Sequence, residues 1–384
     1  MTAITRAGVE AKETRLPLFS GLASLAMLAI VIMGSAAQPQ VSRDSIERVA
    51  RLGTGRSVHT ATTLASGKVL VAGGMADGGG SLADVELFDP ADNTIEVIGS
   101  LGERRAGHTA TLLGDGRVLI AGGHNGEYLA SVEIYDPLAG RFQSAGSLTE
   151  GRSGQTATLL ADGRVLFVGG VGRGWTFLRS AELYHPGTGR SESVGSMSVP
   201  RESHTATLLA DGRVLVIGGH TGRRQDMEVH ATAEIFSPET SRFETAGALL
   251  TARHKHDALR LADGRVLVVG GADRSDRTHF ETTEIYDSGT GTFEYGPVMA
   301  HRRYKIAGTS ILMPAGDVLV TSGARTAEFL DFERWTFREI PGPFPDANRF
   351  ATAALLPSGD VLIAGGYNDG NRNTDGIWLY RRLR

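Results

Sequence analysis

One sequence unit occurs seven times along the chain, and this repetition restricts the possible fold more than any other feature. The copy at residues 105–142 reads R-x-x-H-T-A-T-L-L-x-D-G-R-V-L-x-x-G-G, then a loop, then S-V-E-I-Y-D-P and a polar stretch. Several other copies are incomplete. A unit of this length with four short β-rich runs cannot bury its own apolar faces, so the copies must pack against one another.

Turn residues divide the unit into four strands. An Asp-Gly pair separates the first two runs, and such a pair predicts a hairpin with a type I′ turn, because both residues tolerate a positive φ. The second run, residues 118–121, is entirely apolar, as expected for a strand covered on both faces. The diglycine after it indicates a close backbone neighbour. Pro137 ends the third strand, and Phe142 opens a polar outer strand.

The diglycine fixes the number of units. It begins at positions 73, 122, 169, 218, 270 and 365, and Ser322-Gly323 is a degraded copy. The spacing of 43–52 residues fits a period of roughly 50 better than one of roughly 40–45. With 51 glycines and only 7% aromatic residues among 384, the composition favours many short strands and tight turns.

These motifs resemble the kelch family, and more closely the kelch-like propeller of galactose-oxidase-type proteins. The resemblance covers about residues 45–384 and rests on the diglycine and on an aromatic pair seven positions apart. The pairs are Tyr135 with Phe142, Phe236 with Phe243, and Tyr286 with Phe293. Ile95 and Ser191 fill the second position elsewhere, so the tryptophan usual in the family is absent there.

The seventh unit ends shortly after residues 377–380 and lacks an outer strand. Residues 45–52 precede Arg56 in the same register in which the outer strand of another unit precedes Arg152. We therefore expect residues 45–52 to complete the last blade and close the ring. The sequence predicts an all-β, seven-bladed propeller over residues 38–384, with blades beginning near 56, 105, 152, 201, 253, 303 and 349.

The N-terminal segment predicts export. A basic leader, an apolar run at residues 16–33 and small residues at Ser35 and Ala37 are typical of a signal peptide spanning residues 1–37. The alternative is an uncleaved anchor formed by residues 16–33, with the propeller outside the membrane. The expected location is periplasmic or secreted. The chain has no cysteine, which excludes disulfides and a thioether-linked lipid anchor.

Residues that recur in every unit are interpreted as structural. An arginine opens each first strand, and a glutamate in the third strand of six units is its expected partner. The arginines are Arg56, Arg105, Arg152, Arg201, Arg253, Arg303 and Arg349, and the glutamates are Glu86, Glu133, Glu182, Glu234, Glu284 and Glu328, with Trp378 in the seventh unit. His59, His108, His204 and His256 share one position, filled elsewhere by Gln155, Ile306 and Thr352. These histidines are expected to lie in the core.

A metal site is the less favoured interpretation of residues 254–256. The pattern His-Lys-His would place His254 and His256 on one face of a strand, with His301 at the entry to the next blade. The spacing is loose, and His256 already belongs to the repeat. No metal and no cofactor are therefore expected.

Loops that break the repeat are the expected working surface. In a propeller, the loops between the second and third strands lie on one face with the entries to the first strands. They carry arginines and aromatics but no lysine, a composition typical of recognition surfaces. The candidate ligand-binding residues are Arg173, Trp175, Phe177, Arg223, Arg224, His230, Arg274, Arg277, His279, Arg325 and Tyr367.

The favoured function is recognition of a glycan or protein ligand on this face, over blades three to five. The alternative is a carbohydrate-metabolism enzyme, since the resemblance extends to a periplasmic sialic-acid mutarotase. A pocket holding a carboxylate and an arginine would favour the enzyme, and a flat rim the binding module.

The copper-radical chemistry of galactose-oxidase-type enzymes needs a cysteine that this chain lacks. Scattered lysines and arginines and a net charge of −4 argue against nucleic acid. Membrane contact requires an uncleaved leader, and a monomer is expected.

Overall fold

Seven four-stranded antiparallel sheets make up the computed structural model, which describes residues 44–342 and 344–382. In blades one to six, the four strands pair in chain order. The seventh sheet combines three C-terminal strands with one from the N-terminal end of the described chain. The chain is thus an all-β, seven-bladed propeller, as predicted.

The strands are numbered in chain order. The closing strand is β1 (Ser45–Arg51); blade one contains β2 (Thr60–Thr63), β3 (Val69–Ala72), β4 (Asp84–Asp89) and β5 (Thr94–Ser100). Blade two contains β6 (Thr109–Leu112), β7 (Val118–Ala121), β8 (Ser131–Asp136) and β9 (Arg141–Ser147). Blade three contains β10 (Thr156–Leu159), β11 (Val165–Val168), the small hairpin β12 (Val171–Gly172) and β13 (Thr176–Phe177), β14 (Ala181–His185) and β15 (Arg190–Ser193).

Blade four contains β16 (Thr205–Leu208), β17 (Val214–Ile217), the small hairpin β18 (His220–Thr221) and β19 (Glu228–Val229), β20 (Thr232–Ser237) and β21 (Arg242–Ala248). Blade five contains β22 (Asp257–Arg260), β23 (Val266–Val269), β24 (Thr283–Asp287) and β25 (Thr292–Tyr295). Blade six contains β26 (Ser310–Leu312), β27 (Val318–Val320), β28 (Ala327–Asp331) and β29 (Thr336–Ile340). Blade seven contains β30 (Thr352–Leu355), β31 (Val361–Ala364) and β32 (Gly376–Arg381). Two 3-10 turns, Arg173–Trp175 and Arg224–Asp226, lie in the small hairpins, and within the described residues no helix has the length and apolar character needed to cross a bilayer.

The core lies between the blades. All four residues of β7 are buried, as the continuous apolar run predicted. Leu119 of this strand shares a cluster with Val165 and Phe167 of blade three, so that each sheet buries its face against the next. The aromatic pair of blade two also forms as expected, because Tyr135 lies opposite Phe142 with ring centres 4.7 Å apart.

The hairpin between the first two strands differs from the predicted type I′ turn. In blade two, Gly116 has φ +86°, but Asp115 keeps a negative φ. The N–H of Gly116 donates to the carbonyl of Leu113, and the N–H of Leu113 donates to the carbonyl of Arg117. These bonds define a longer loop in which only the glycine is left-handed, the arrangement of a type I turn followed by a bulge.

The diglycine has the steric role predicted for it. Gly122 has φ +68°, and a Cβ built on it would lie 2.7 Å from the carbonyl oxygen of Arg152 in the next blade. Any side chain here would displace backbone of that blade.

Closure by the N-terminal strand is confirmed. Strand β1 pairs antiparallel with β32, and Ile46 lies opposite Tyr380. Ile46 is buried in a cluster with Ile340 of blade six, and Leu52 is buried in a cluster with Val69 of blade one. The closing segment, residues 45–52, is called the clasp; it contacts both neighbours of the last blade and covers the edge of β32.

An inner ring of backbone hydrogen bonds also connects the blades. One residue per blade, just before the first strand, has a positive φ: Val58, Gly107, Gly154, Ser203, Lys255, Lys305 and Phe350. Among these residues, six N–H groups donate to the carbonyl of a neighbouring member, at 2.8–3.2 Å. The ring surrounds the central channel on the face that carries the long loops.

This ring corrects the predicted register of blade seven. The position of the opening arginine is held by Asn348 and that of the core histidine by Ala351, because Phe350 is the ring residue. The prediction that Arg349 holds the arginine position and Thr352 the histidine position is therefore wrong, because each residue lies one place after that position. Trp378 replaces the glutamate partner in this blade, so a guanidinium at that position would lack a carboxylate. Arg349 instead pairs with Asp369 at 2.8 Å near the surface.

The other six arginines are structural, as predicted. Each is fully buried and paired with the glutamate of the third strand, and in blades two to six the nitrogen–oxygen distances are 2.6–2.9 Å. Arg152, for example, also donates to the carbonyl of Gly169 at 2.9 Å. The guanidinium therefore ties the end of the second strand to the third.

The four repeated histidines lie in the core between blades. Their Nε2 atoms lie 2.9–3.1 Å from a threonine hydroxyl of the preceding blade, as between His108 and Thr60. Burial lowers the pKa of His59, His108 and His204 to about 3. These imidazoles are neutral packing groups.

Candidate functional site

The loop face holds a cavity of about 790 Å³ that extends from blade three to the channel mouth. Five of the predicted residues line it: Trp175, Arg223, Arg224, Arg274 and Arg277. Their assignment as ligand-binding residues stays a prediction. Glu202, His220, Lys255, Asp276 and Phe350 also line the cavity and were not among the candidates.

Trp175 forms an aromatic wall of the cavity. It is 56% exposed and has φ +64° in a 3-10 turn. The guanidinium carbon of Arg223 lies 3.9 Å from the centre of its ring, and Tyr128 of blade two contacts it edge-on at 5.9 Å. Loops of three blades therefore build one wall in which a cation lies against an aromatic face.

Two carboxylates face the cationic side chains. Glu202 lies 3.8 Å from Arg223, and desolvation raises the pKa of its carboxyl, opposed by Arg223 and Lys255. Asp276 pairs with Lys255 at 2.5 Å. Burial would raise the pKa of Asp276, but hydrogen bonds from His254 and Lys255 outweigh it and hold that pKa below its usual value.

The lysines at the channel mouth were missed because they belong to the inner ring, not to the variable loops. Burial lowers the pKa of Lys255. The ammonium of Lys305 donates to the hydroxyl of Tyr367 and lies 5.0–5.5 Å from the ring centres of Tyr304, Phe350 and Tyr367. A lysine two positions after the repeated arginine is the sequence signal that could have located both.

The remaining candidates do not line this cavity, and Tyr367 lines a separate one. Arg173 is exposed, Phe177 packs on His220 at 5.5 Å, and His230 is buried. His279 stacks on Tyr304 at 3.6 Å, Arg325 pairs with Asp346 on the rim, and Tyr367 holds Lys305. The structure thus brings five of the eleven candidates together around one cavity.

The interpretation of residues 254–256 as a strand with two histidines on one face is wrong. These residues precede β22, and Lys255 has φ +55°, so the alternation of a strand does not apply. His254 contacts His220, whereas His256 contacts Thr205, and His301 pairs with Glu339. Within the described residues, no three His, Asp or Glu side chains are grouped to hold a metal ion.

Fold and loop face together define a β-propeller with a charged cavity at its channel mouth. The Kelch motif model matches residues 104–149, which span blade two, and with seven blades of the same design the chain is a kelch-repeat propeller. No curated protein matches the sequence. Kelch propellers are commonly protein-interaction modules. The nearer likeness to the galactose-oxidase-type propeller stays a prediction.

Proposed function

We propose that this chain is an exported kelch-type propeller that binds an acidic glycan in the cavity over blades three to five. The observation that carries the proposal is the lining of the cavity. Four arginines and Lys255 face two carboxylates, Glu202 and Asp276, beside the exposed ring of Trp175. The net charge of this lining favours an anion.

The shape supports a small ligand over a flat protein surface. About 790 Å³ lies within the roughly 300–1,000 Å³ of small-molecule sites. Arginine binds a carboxylate through two parallel hydrogen bonds, which fixes the orientation of the ligand. Trp175 offers an apolar face on which a sugar ring can pack.

A glycan array with the purified mature protein tests this proposal. We expect binding to sialylated or uronate-containing glycans and none to their neutral counterparts. Arg223→Ala should lower the affinity at least about tenfold, because it removes a charged contact worth roughly 1.5–3 kcal/mol. Arg213→Ala, on the opposite face, is the matched control and should leave affinity unchanged. Equal binding of neutral glycans, or capture of proteins alone, would contradict the proposal.

An enzyme of carbohydrate metabolism, of the sialic-acid mutarotase type, is the second candidate. The distance of 3.8 Å between Glu202 and Arg223 favours it, since a carboxylate and an arginine converge in the cavity. Its test is the exchange rate between anomers of an acidic sugar, measured by NMR. If the wild type accelerates exchange between the anomers and Glu202→Gln abolishes this acceleration, the protein is an enzyme. If the sugar binds and the exchange rate stays unchanged, the cavity only binds its ligand.

Export is part of the proposal and rests on residues 1–37, which lie outside the described residues. We propose cleavage after Ala37, so that the mature protein begins at Gln38 in the periplasm or outside the cell. Mass spectrometry of the native protein tests this. Retention of residues 1–37 in the membrane fraction would replace the cleaved signal by an anchor.

A further inference from the structure

Four side chains form a chain of close polar contacts whose two ends, Glu202 and Asp276, both line the cavity. Glu202 Oε2 lies 3.6 Å from His220 Nε2, and His220 Nδ1 lies 3.1 Å from His254 Nδ1. His254 Nε2 lies 3.0 Å from Asp276 Oδ1 and 3.1 Å from the carbonyl oxygen of Asp273. Both imidazoles are almost completely buried.

The Asp276 end of this path sets the positions of the hydrogens. His254 Nε2 faces only oxygen acceptors, so it carries a hydrogen. In neutral His254, Nδ1 then has a lone pair and accepts the N–H of His220 Nδ1. The Nε2 atom of His220 is consequently left with a lone pair that faces Glu202 and the cavity.

A proton added at the Glu202 end can move its charge to the Asp276 end. If His220 Nε2 gains a hydrogen, His220 can pass its Nδ1 hydrogen to His254 Nδ1. The positive charge then lies on His254 beside the carboxylate of Asp276. Burial and the neighbouring His254 lower the pKa of His220 to about 3, so the charge is not stable on His220 itself.

The charges around the Glu202 end make it sensitive to a bound anion. Glu202 faces His220, Arg223, Lys255 and Tyr128, and His220 faces His254, Lys255, Arg223 and Asp276. An anion beside Arg223 would offset the cation that stabilises ionised Glu202. Its negative charge would also favour a proton on the Glu202–His220 pair.

We propose that the cavity takes up one proton with each carboxylate ligand and holds it on the Glu202–His220–His254–Asp276 path. This inference rests on the proposed binding of acidic ligands and names their mode of binding. The balance is simple: ligand anion plus one proton gives the complex, and no bond other than to hydrogen changes. Affinity therefore rises as pH falls, by up to about tenfold per pH unit where uptake is complete.

The test is calorimetric titration of the mature protein with D-glucuronate in buffers of different ionisation enthalpy, between about pH 5.5 and about pH 8. A sugar carboxylate stays ionised over this range, so any proton uptake belongs to the protein. We expect uptake approaching one proton in the wild type. Glu202→Gln should bind glucuronate at about pH 8 as tightly as the wild type does at low pH. Its binding should involve little proton uptake, and its affinity should depend little on pH. Glu244→Gln, an exposed glutamate of β21, is the matched control.

Asp276→Asn provides a second variant at the other end of the path, and should reduce uptake because no carboxylate then stabilises the charge on His254. Binding of glucuronate to the wild type without proton uptake, or uptake that persists in Glu202→Gln, would overturn the inference while leaving the binding site intact. Failure of glucuronate and of inorganic sulfate to bind at any pH would instead overturn the proposed function.

Discussion

The N–H of Val58 donates a hydrogen bond of 3.2 Å to the carbonyl oxygen of Phe350 and so joins the first blade to the last. The ring is therefore closed at the channel as well as at its rim, where β1 completes blade seven. The two closures differ in kind. The inner one consists of backbone hydrogen bonds, among them that from the N–H of Gly366 to the carbonyl of Arg56 at 2.8 Å, whereas β1 and the residue after it bury Ile46 and Leu52 between blades.

The clasp should contribute most of the closure. Deleting residues 1–52 exposes the edge of β32 and removes Ile46 and Leu52 from their clusters. We expect a lower melting temperature, self-association through the open edge, and faster hydrogen exchange in residues 349–382 than in blades two to four. Deletion ending at Val41 is the control and should change none of these. If hydrogen exchange in residues 349–382 is equally slow in both deletion variants, the inner ring suffices to close the propeller.

Arg152→Ala should destabilise the protein without affecting the cavity. It leaves Glu182 buried without its charged partner, and the loss of one member of a buried pair costs about 3–5 kcal/mol. Chemical denaturation measures the change. Arg213→Ala, which removes an exposed pair with Asp211, should cost less than about 1 kcal/mol. Loss of ligand binding in Arg152→Ala with unchanged stability would show that the repeated arginines serve the ligand.

The core histidines should make the fold sensitive to acid. The pKa of His108 is about 3 in the folded protein and near 6.5 when unfolded, so the unfolded chain binds more protons below about pH 6.5. Stability is complete above that pH and declines as pH falls toward 3.

His108→Gln copies the residue that blade three has at this position, Gln155, and removes one titrating group. The slope of unfolding free energy against pH should become less steep by up to about 1.4 kcal/mol per pH unit, as measured by denaturation at several pH values. Gln143→Asn, at an exposed position of β9 without a titrating group, should leave the slope unchanged. An unchanged slope in His108→Gln would mean that His108 is already charged in the folded state.

The fold could be predicted from the sequence because the same strand and turn signals recur in each of the seven units. The diglycine, the arginine–glutamate pairs and the closing strand all follow from register alone. Blade seven shows the limit of this reasoning. Arg349 was given the arginine position because of its residue type, although no glutamate lies opposite it. In other units a threonine follows the arginine by four residues, so Thr352 indicates Asn348 for that position. Left-handed Lys255 and Phe350 could not be predicted, since neither residue type favours positive φ.

The cavity was only half predictable for a related reason. Variable loops identified Trp175 and the arginines, because insertions stand out against a repeat. Glu202, Lys255 and His220 lie at or beside repeated positions, where regularity suggested a structural role. Their convergence depends on how neighbouring blades rotate about the channel, which the spacing of residues does not encode.

The most direct test of the account is the emission of Trp175 during titration with D-glucuronate. The chain has three tryptophans; Trp378 is buried in blade seven, and Trp335, between β28 and β29 of blade six, packs against the apolar cluster between blades five and six. We predict a saturable change in wild-type fluorescence that is absent in Trp175→Phe and shifted to at least about tenfold higher concentration in Arg223→Ala. A change that persists in Trp175→Phe, with Arg223→Ala titrating like the wild type, would place the ligand elsewhere and contradict the account.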